Sequence, residues 1–303
     1  MSIRKIGIIG LGQMGTPIAT FVLRAGYDVA GFDLVEDRMS ALGTLGLTPA
    51  RSPGEAASGA DLVILSLPTW AHVTAVVEGE RGLLSASHAG QIIADCSTVP
   101  PLESRAMAAR LAEKGIVWMD VPISGAANQA REGNMVFMAG GDRAGFERIK
   151  PVFDAIGKKT VYVGPSGSGA MLKTVVNHVL FLNQAAAIEG MVLGRRAGLD
   201  PAILLDVLVT GAAESDLIRA RGKDMLAGNF AAKGALWIAA KDLALSLQSA
   251  KALGVALPMG GLYQQLLSGA QGRGWDQEDA TVVMRLYEEL AGIPFPSPPP
   301  PPS

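Results

Sequence analysis

The stretch "KIGIIGLGQMGTPIATFVLRAG", residues 5–26, decides the fold. A short β-rich run leads into Gly10, Gly12 and Gly15, spaced G-x-G-x-x-G, and an amphipathic run closed by Gly26 follows. Strand, glycine turn and helix in that order make a dinucleotide-binding loop. One glycine permits the tight turn, one the close approach of backbone to a pyrophosphate, and one the packing of helix on strand. The helix start then offers unpaired N–H groups and the positive end of its dipole to the phosphates. Leu11, Gln13 and Met14 lie inside this loop and count with the glycines as candidate cofactor-binding residues. Asp33 ends the next β-rich run, "DVAGFD", about 20 residues further on, where an acid can hold both ribose hydroxyls of NAD and repel a 2′-phosphate. Leu34 follows, so no arginine stands directly beside it, although Arg38 is near in sequence. NAD is expected over NADP. The plain alternative, a tight turn plus a solvated aspartate, accounts for each feature singly but not for their agreement.

Outward from this loop, β-rich runs alternate with amphipathic segments to about residue 164. "DLVILSLP", "QIIADCS", "IVWMDVPIS" and "KTVYVG" read as further strands, and "SRAMAARLAEKG" and "RAGFERIKPVFDAIG" as further helices. Near-continuous apolar strands between helices imply a doubly wound parallel sheet covered on both faces. After "GPSGSG" the pattern turns helical, near 168–197, 201–210, 214–227, 235–253, 258–272 and 276–291, with no convincing strand. The expected organisation is a Rossmann-type domain at 1–164, an all-α domain at 165–293, and a proline-rich tail at 294–303. That tail, "PFPSPPPPPS", cannot form helix or sheet and reads as disordered or polyproline.

Composition narrows the function. The chain has 303 residues, 49% apolar and 18% charged, with a net charge of -2. This balance gives no electrostatic case for nucleic acid or anionic membrane. Cys96 is the single cysteine and the three histidines are scattered, so neither a disulfide nor a metal site is expected. The longest apolar run is broken by Asn, His, Gln and Glu, which argues against a membrane span. Without signal-peptide features at residue 1, a cytoplasmic location is expected.

"GSGAMLKTVVNHV", Gly167–Val179, places Lys173 and Asn177 one helical turn apart on an otherwise apolar helix. An exposed helix lysine is the plain alternative. Leu172, Val175, Val176, Val179 and Leu180 leave only a narrow polar strip, and a lysine partly desolvated there becomes a usable acid/base. Lys241 and Asp242 interrupt a second apolar helix, where a surface ion pair is the simpler reading. In "DVPISGAANQAREG", Ser124 and Gly125 leave a strand and could present a hydroxyl and backbone N–H groups to a carboxylate. Ser97 and Thr98 in "DCSTVPP" sit at a strand end, where open α/β sheets bind ligands.

Together these motifs resemble the β-hydroxyacid dehydrogenase family, over nearly all of residues 3–292. "GIIGLGQMG" is similar to the family's cofactor loop, "DCSTVPP" to its nicotinamide-side loop with Thr98, and "DVPISG" to its substrate loop with Ser124 and Gly125. "GSGAMLKTVVNH" is similar to the catalytic segment, which implies Lys173 as acid/base and Asn177 as substrate ligand. "KDLAL" resembles the motif whose lysine, here Lys241, reaches cofactor and substrate, and Leu67 and Pro68 match the loop lying over the cofactor. The resemblance implies NAD-dependent interconversion of a small 3-hydroxy acid and its carbonyl form, a site in the cleft between the domains, and a homodimer or homotetramer. Ala126 stands where a second glycine is usual, His178 where Asn or Gln is frequent, and Phe21 where a small polar residue is usual. These departures bear on substrate choice. Two other readings remain: an imine-type reductase on the same scaffold, and a noncatalytic dinucleotide-binding protein.

Overall fold

The computed structural model describes residues 3–293; the proline-rich tail at 294–303 lies outside them. The chain divides into two compact units between Lys173 and Thr174, inside one long helix.

Among the described residues, the first unit holds nine strands: β1 (Lys5–Ile9), β2 (Asp28–Phe32), β3 (Thr48–Pro49), β4 (Leu62–Leu65), β5 (Ile92–Asp95), β6 (Val117–Asp120), β7 (Ile123–Ser124), β8 (Val136–Gly141) and β9 (Lys159–Gly164). Helices α1 (Gly15–Arg24), α2 (Glu36–Gly43), α3 (Pro53–Ala57), α4 (Trp70–Glu78), α5 (Pro101–Ala112), α6 (Ala127–Arg131) and α7 (Arg143–Ile156) connect them. The sheet order is β3-β2-β1-β4-β5-β6-β8-β7, with β9 on β8. β1 to β6 are parallel, and the order reverses between β1 and β4, the switch point where such sheets bind ligands. Strict alternation sorts the side chains to two faces. Ile6, Ile8, Leu62, Ile64 and Ile92 pack with α1 and α7, whereas Ile9, Val63, Leu65 and Ile93 pack with α3, α4 and α5. The doubly wound expectation is met.

Two features depart from the sequence pattern. "MVFMAGG" forms β8, a strand the pattern did not single out, antiparallel to β6. "IVWMDVPIS" is not one strand but two, β6 and β7, broken at Val121–Pro122 and pairing with β8 in one continuous register (Asp120↔Gly140, Ile123↔Phe137). Proline lacks the N–H a ladder needs, and Pro122 marks the gap.

The second unit is helical: the body of α8 (Ser168–Arg196), then α9 (Pro201–Thr210), α10 (Asp216–Leu226), α11 (Leu236–Leu253), α12 (Pro258–Gln271) and α13 (Met284–Leu290). Its core gathers Ile188, Met191, Leu236, Leu243, Leu267 and Val283. α9 starts on Asp200, whose carboxylate accepts from Ala202 N, and runs through Pro201, a good first-turn residue. Despite the sequence "PAILLDVLVT", α9 has no buried residue. Among the described residues, no helix is long and apolar enough to cross a membrane.

Candidate functional site

The glycine loop joins β1 to α1, and its glycines do different work. At Gly10, φ is +89° and an added Cβ would lie 2.3 Å from the Ser66 carbonyl oxygen. At Gly15 it would lie 1.8 Å from the Gly10 carbonyl oxygen. Both positions are closed by the protein's own backbone. An added Cβ at Gly12 meets nothing within 4 Å, so the space there is open to a ligand. Met14, at the N-cap of α1, supplies no side-chain acceptor, so no side chain caps the helix start there. The open cradle and this helix start fit the pyrophosphate of a dinucleotide.

Asp33, directly after β2, is buried and braces this loop. Its Oδ2 accepts from Leu11 N at 2.7 Å and its Oδ1 from Val35 N at 2.9 Å. Arg38 Nη1 lies 3.2 Å from the same Oδ1. The sequence placed Arg38 only nearby; the turn into α2 brings it onto the carboxylate.

Gln13 is exposed at the loop tip and lines, with Leu11 and Gly12, a pocket of about 470 Å³. The loops after β4 and β5 are tied together: Leu67 N donates to Ser97 Oγ at 2.9 Å, and Ser97 N donates to Asp95 Oδ1 at 2.9 Å. Pro68 is exposed and Thr98 half-buried beside this clamp. Ser97 was noted in the sequence; its bond to Leu67, 30 residues away, was not legible there. Cys96 is buried, and burial pushes its thiol well above the ordinary range, with Asp95 adding to the effect. It is a packed thiol, not a nucleophile.

Ser124 is carried on β7, and Gly125 follows with φ +138°, a conformation that favours glycine. Ala126 has φ -86° and ψ 170°, open to any residue, so the backbone there does not call for a second glycine. Its N–H donates to Gln129 Oε1 at 2.9 Å. Phe21 packs beneath the far end of this segment, where a Cβ on Gly133 would lie 3.4 Å from its ring.

Asp120, at the end of β6, is fully buried and grips the start of α8. Gly167 N and Ala170 N donate to its two carboxylate oxygens at 2.8 Å each. Burial, the largest influence, raises its carboxyl above the ordinary range, opposed by these N–H groups. Gly169 and Gly140 let α8 approach the sheet, since a Cβ on Gly140 would lie 2.6 Å from Gly169 N. Half-buried Lys173 follows within one turn.

In the second unit, Asn177 and Asp242 are both buried, and Asn177 Nδ2 donates to Asp242 Oδ2 at 2.8 Å. Lys241 Nζ lies 2.9 Å from Asp242 Oδ1. Ser246 Oγ, one turn on, donates to the Thr174 carbonyl at 3.2 Å and stitches α11 to α8. The pair expected at the surface is therefore a buried carboxylate joining Asn177 to Lys241. His178 packs on α12, where a Cβ at Gly260 would lie 2.7 Å from its Cε1. Among the described residues, no group of three or more His, Cys, Asp or Glu could hold a metal ion.

Residues 5–164 match the family described as the NAD binding domain of 6-phosphogluconate dehydrogenase. Residues 167–287 match that described as NAD-binding of NADP-dependent 3-hydroxyisobutyrate dehydrogenase. The chain is 36% identical over 290 residues to 2-(hydroxymethyl)glutarate dehydrogenase of Eubacterium barkeri, covering 95% of this chain and 96% of that protein. The chain belongs to the β-hydroxyacid dehydrogenase family. It is 35% identical to 2-hydroxy-3-oxopropionate reductase of Escherichia coli, covering 95% of this chain and 98% of that one. Among solved structures, 3-hydroxyisobutyrate dehydrogenase from Salmonella typhimurium superposes with a TM-score of 0.86 at 30% identity, covering 93% of this chain and 99% of that one. As a β-hydroxyacid dehydrogenase, the protein is an oxidoreductase with a nicotinamide dinucleotide fold.

Proposed function

We propose that this β-hydroxyacid dehydrogenase oxidises small 3-hydroxy acids with NAD and reduces the matching aldehydes or ketones. The observation that carries the reading is the polar stripe on α8, where Lys173 and Asn177 stand one turn apart and Asn177 is buried against Asp242. Lys173 is the acid/base: its neutral amine takes the hydroxyl proton in oxidation and returns it in reduction. Asn177 holds the reacting oxygen, its amide oriented in advance by Asp242. Ser124 and the Gly125 backbone anchor the carboxylate. When bound, the nicotinamide supplies the hydride acceptor. Gly10–Gly15 would hold the pyrophosphate, Asp33 the adenosine ribose, Leu67, Pro68 and Thr98 the nicotinamide side, and Lys241 the region shared by cofactor and substrate. Orientation matters because hydride transfer needs donor and acceptor carbons close and aligned. The relatives named above are, by name, a hydroxy-acid dehydrogenase and a hydroxy-oxo-acid reductase, which supports the substrate class.

The reading includes a cytoplasmic homo-oligomer. Ile203 and Val207 on α9 are 66% and 60% exposed, and a helix that apolar is suited to burial against a second copy.

A panel of 3-hydroxyisobutyrate, glycerate, serine, threonate and 4-hydroxybutyrate, each offered with NAD and followed by NADH absorbance, tests the function. Turnover of one or more is expected. No absorbance change with any of them, nor with the same panel and NADP, rejects it.

A further inference from the structure

The chain leaving β7 holds three successive polar groups: the Ser124 hydroxyl, the Gly125 N–H and the Ala126 N–H. The proposed carboxylate anchor uses the first two. The third is already engaged, because Ala126 N donates to Gln129 Oε1 at 2.9 Å. A backbone N–H only donates, so the carbonyl end of the Gln129 amide is the end that faces it. The same oxygen stands close over Gly125, where an added Cβ would lie 3.4 Å from it. An amide carbonyl therefore occupies the resting anchor in the way a substrate carboxylate would.

The bond also serves α6, since a glutamine three residues into a helix can reach back to the N–H that precedes it. Its closure is light. Gln129 is exposed, whereas Ser124, Gly125 and Ala126 are half-buried, so the glutamine side chain can turn into water. Ala126 supplies no side-chain cap in return. A carboxylate makes charge-assisted bonds about twice as strong as neutral ones, so it outcompetes the amide for the Ala126 N–H.

We infer that Gln129 is an internal competitor of the substrate: its amide fills the carboxylate anchor at rest, and a hydroxy acid binds by displacing it from Ala126 N. Gln129 thus sets how tightly the acid is held without touching the reacting carbon. The inference rests on the proposed anchor at Ser124 and Gly125. It carries a sign that helix capping does not. Removing the glutamine side chain tightens carboxylate binding, whereas loss of a needed cap would loosen it. Alanine is the better helix former, so Gln129→Ala removes the competitor without lowering the helical propensity of α6.

Calorimetric titration of NAD-loaded enzyme with isobutyrate, a carboxylate that has no hydroxyl to react, tests it. Gln129→Ala is expected to bind isobutyrate about three- to tenfold more tightly than the wild type, the range that one neutral hydrogen bond supplies. Gln129→Glu keeps an acceptor for Ala126 N but adds a like charge, and is expected to bind isobutyrate about tenfold more weakly or worse. With any hydroxy acid that is turned over, Gln129→Ala should lower KM and leave kcat within about twofold. Thermal unfolding of each variant checks that the exposed side chain is dispensable for folding. Isobutyrate affinity in Gln129→Ala equal to or below that of the wild type overturns the inference and leaves Gln129 as a cap for α6. Ser124→Ala separates that result from failure of the anchor itself. Weaker isobutyrate binding by Ser124→Ala keeps the anchor whatever Gln129 does, and unchanged binding rejects the anchor and the inference together.

Discussion

Asn177 Nδ2 donates to Asp242 Oδ2 at 2.8 Å while Lys241 Nζ lies 2.9 Å from the other oxygen of that carboxylate. A single buried acid therefore fixes the orientation of an amide on α8 and faces an ammonium on its own helix. Buried charge is tolerated when it is paired and hydrogen-bonded in this way.

Removing that carboxylate should leave the Asn177 amide without its orienting partner, while Ser246 still ties α11 to α8. Leaving a buried donor without its acceptor costs about 1–3 kcal/mol. If the proposed transition state feels that whole cost, Asp242→Ala loses on the order of tenfold to a hundredfold in kcat. Asp242→Asn, which keeps an acceptor for the Asn177 amide, is expected to lose less. Steady-state kinetics beside thermal unfolding check this, and an Asp242→Ala enzyme with wild-type kcat would show that Asn177 needs no orienting partner.

Lys173→Ala should remove the acid/base and lower kcat by about 10²–10⁴-fold, with cofactor affinity, read by fluorescence titration, near the wild-type value. Lys173→Arg should not rescue turnover, because a guanidinium stays protonated and cannot accept the proton. Appreciable turnover by the alanine variant would assign the proton transfer to another group.

The glycine loop separates packing from ligand space in a way that can be measured. Gly15→Ala drives a methyl group into the Gly10 carbonyl and is expected to cost about 1–3 kcal/mol in unfolding free energy. Gly12→Ala meets no protein atom within 4 Å, so its melting temperature should match the wild type while its dinucleotide affinity falls. Equal dinucleotide affinity in Gly12→Ala and wild type would place the pyrophosphate elsewhere.

The parts of this molecule that were legible in the sequence are those written in local patterns. The glycine loop, the alternating strands and the Lys173–Asn177 stripe each lie within a few residues, so spacing alone exposes them. β8 was not visible because its strand character depends on antiparallel pairing to β6 and β7, which run on either side of Pro122. Asp242 looked like half of a surface pair because its partner Asn177 is 65 residues away. Ala126 looked like a lost glycine, and only its φ and ψ show that the backbone there accepts a side chain. Long-range hydrogen bonds and backbone angles leave no trace at short spacing.

Asp120 offers a prediction in which pH gives the sign. Its two oxygens accept separately from Gly167 N and Ala170 N, whereas an asparagine has one acceptor oxygen and would turn its NH₂ toward the other N–H. Asp120→Asn should therefore cost about 1–3 kcal/mol of stability at neutral pH and, through the first turn of α8, lower kcat by disturbing Lys173. Burial holds the Asp120 carboxyl above its ordinary value in the folded protein. The folded state thus binds the proton more tightly than the unfolded chain, whose carboxyl titrates at about pH 4. Its charge costs stability increasingly as pH rises from there through the folded-state value, and the cost is complete above it. The asparagine variant has no such dependence, so the wild-type advantage in unfolding free energy should widen on acidification from pH 7 toward pH 4. A gap that narrows instead would mean that the two N–H donors outweigh burial and hold the carboxyl low, making Asp120 a charged cap for α8.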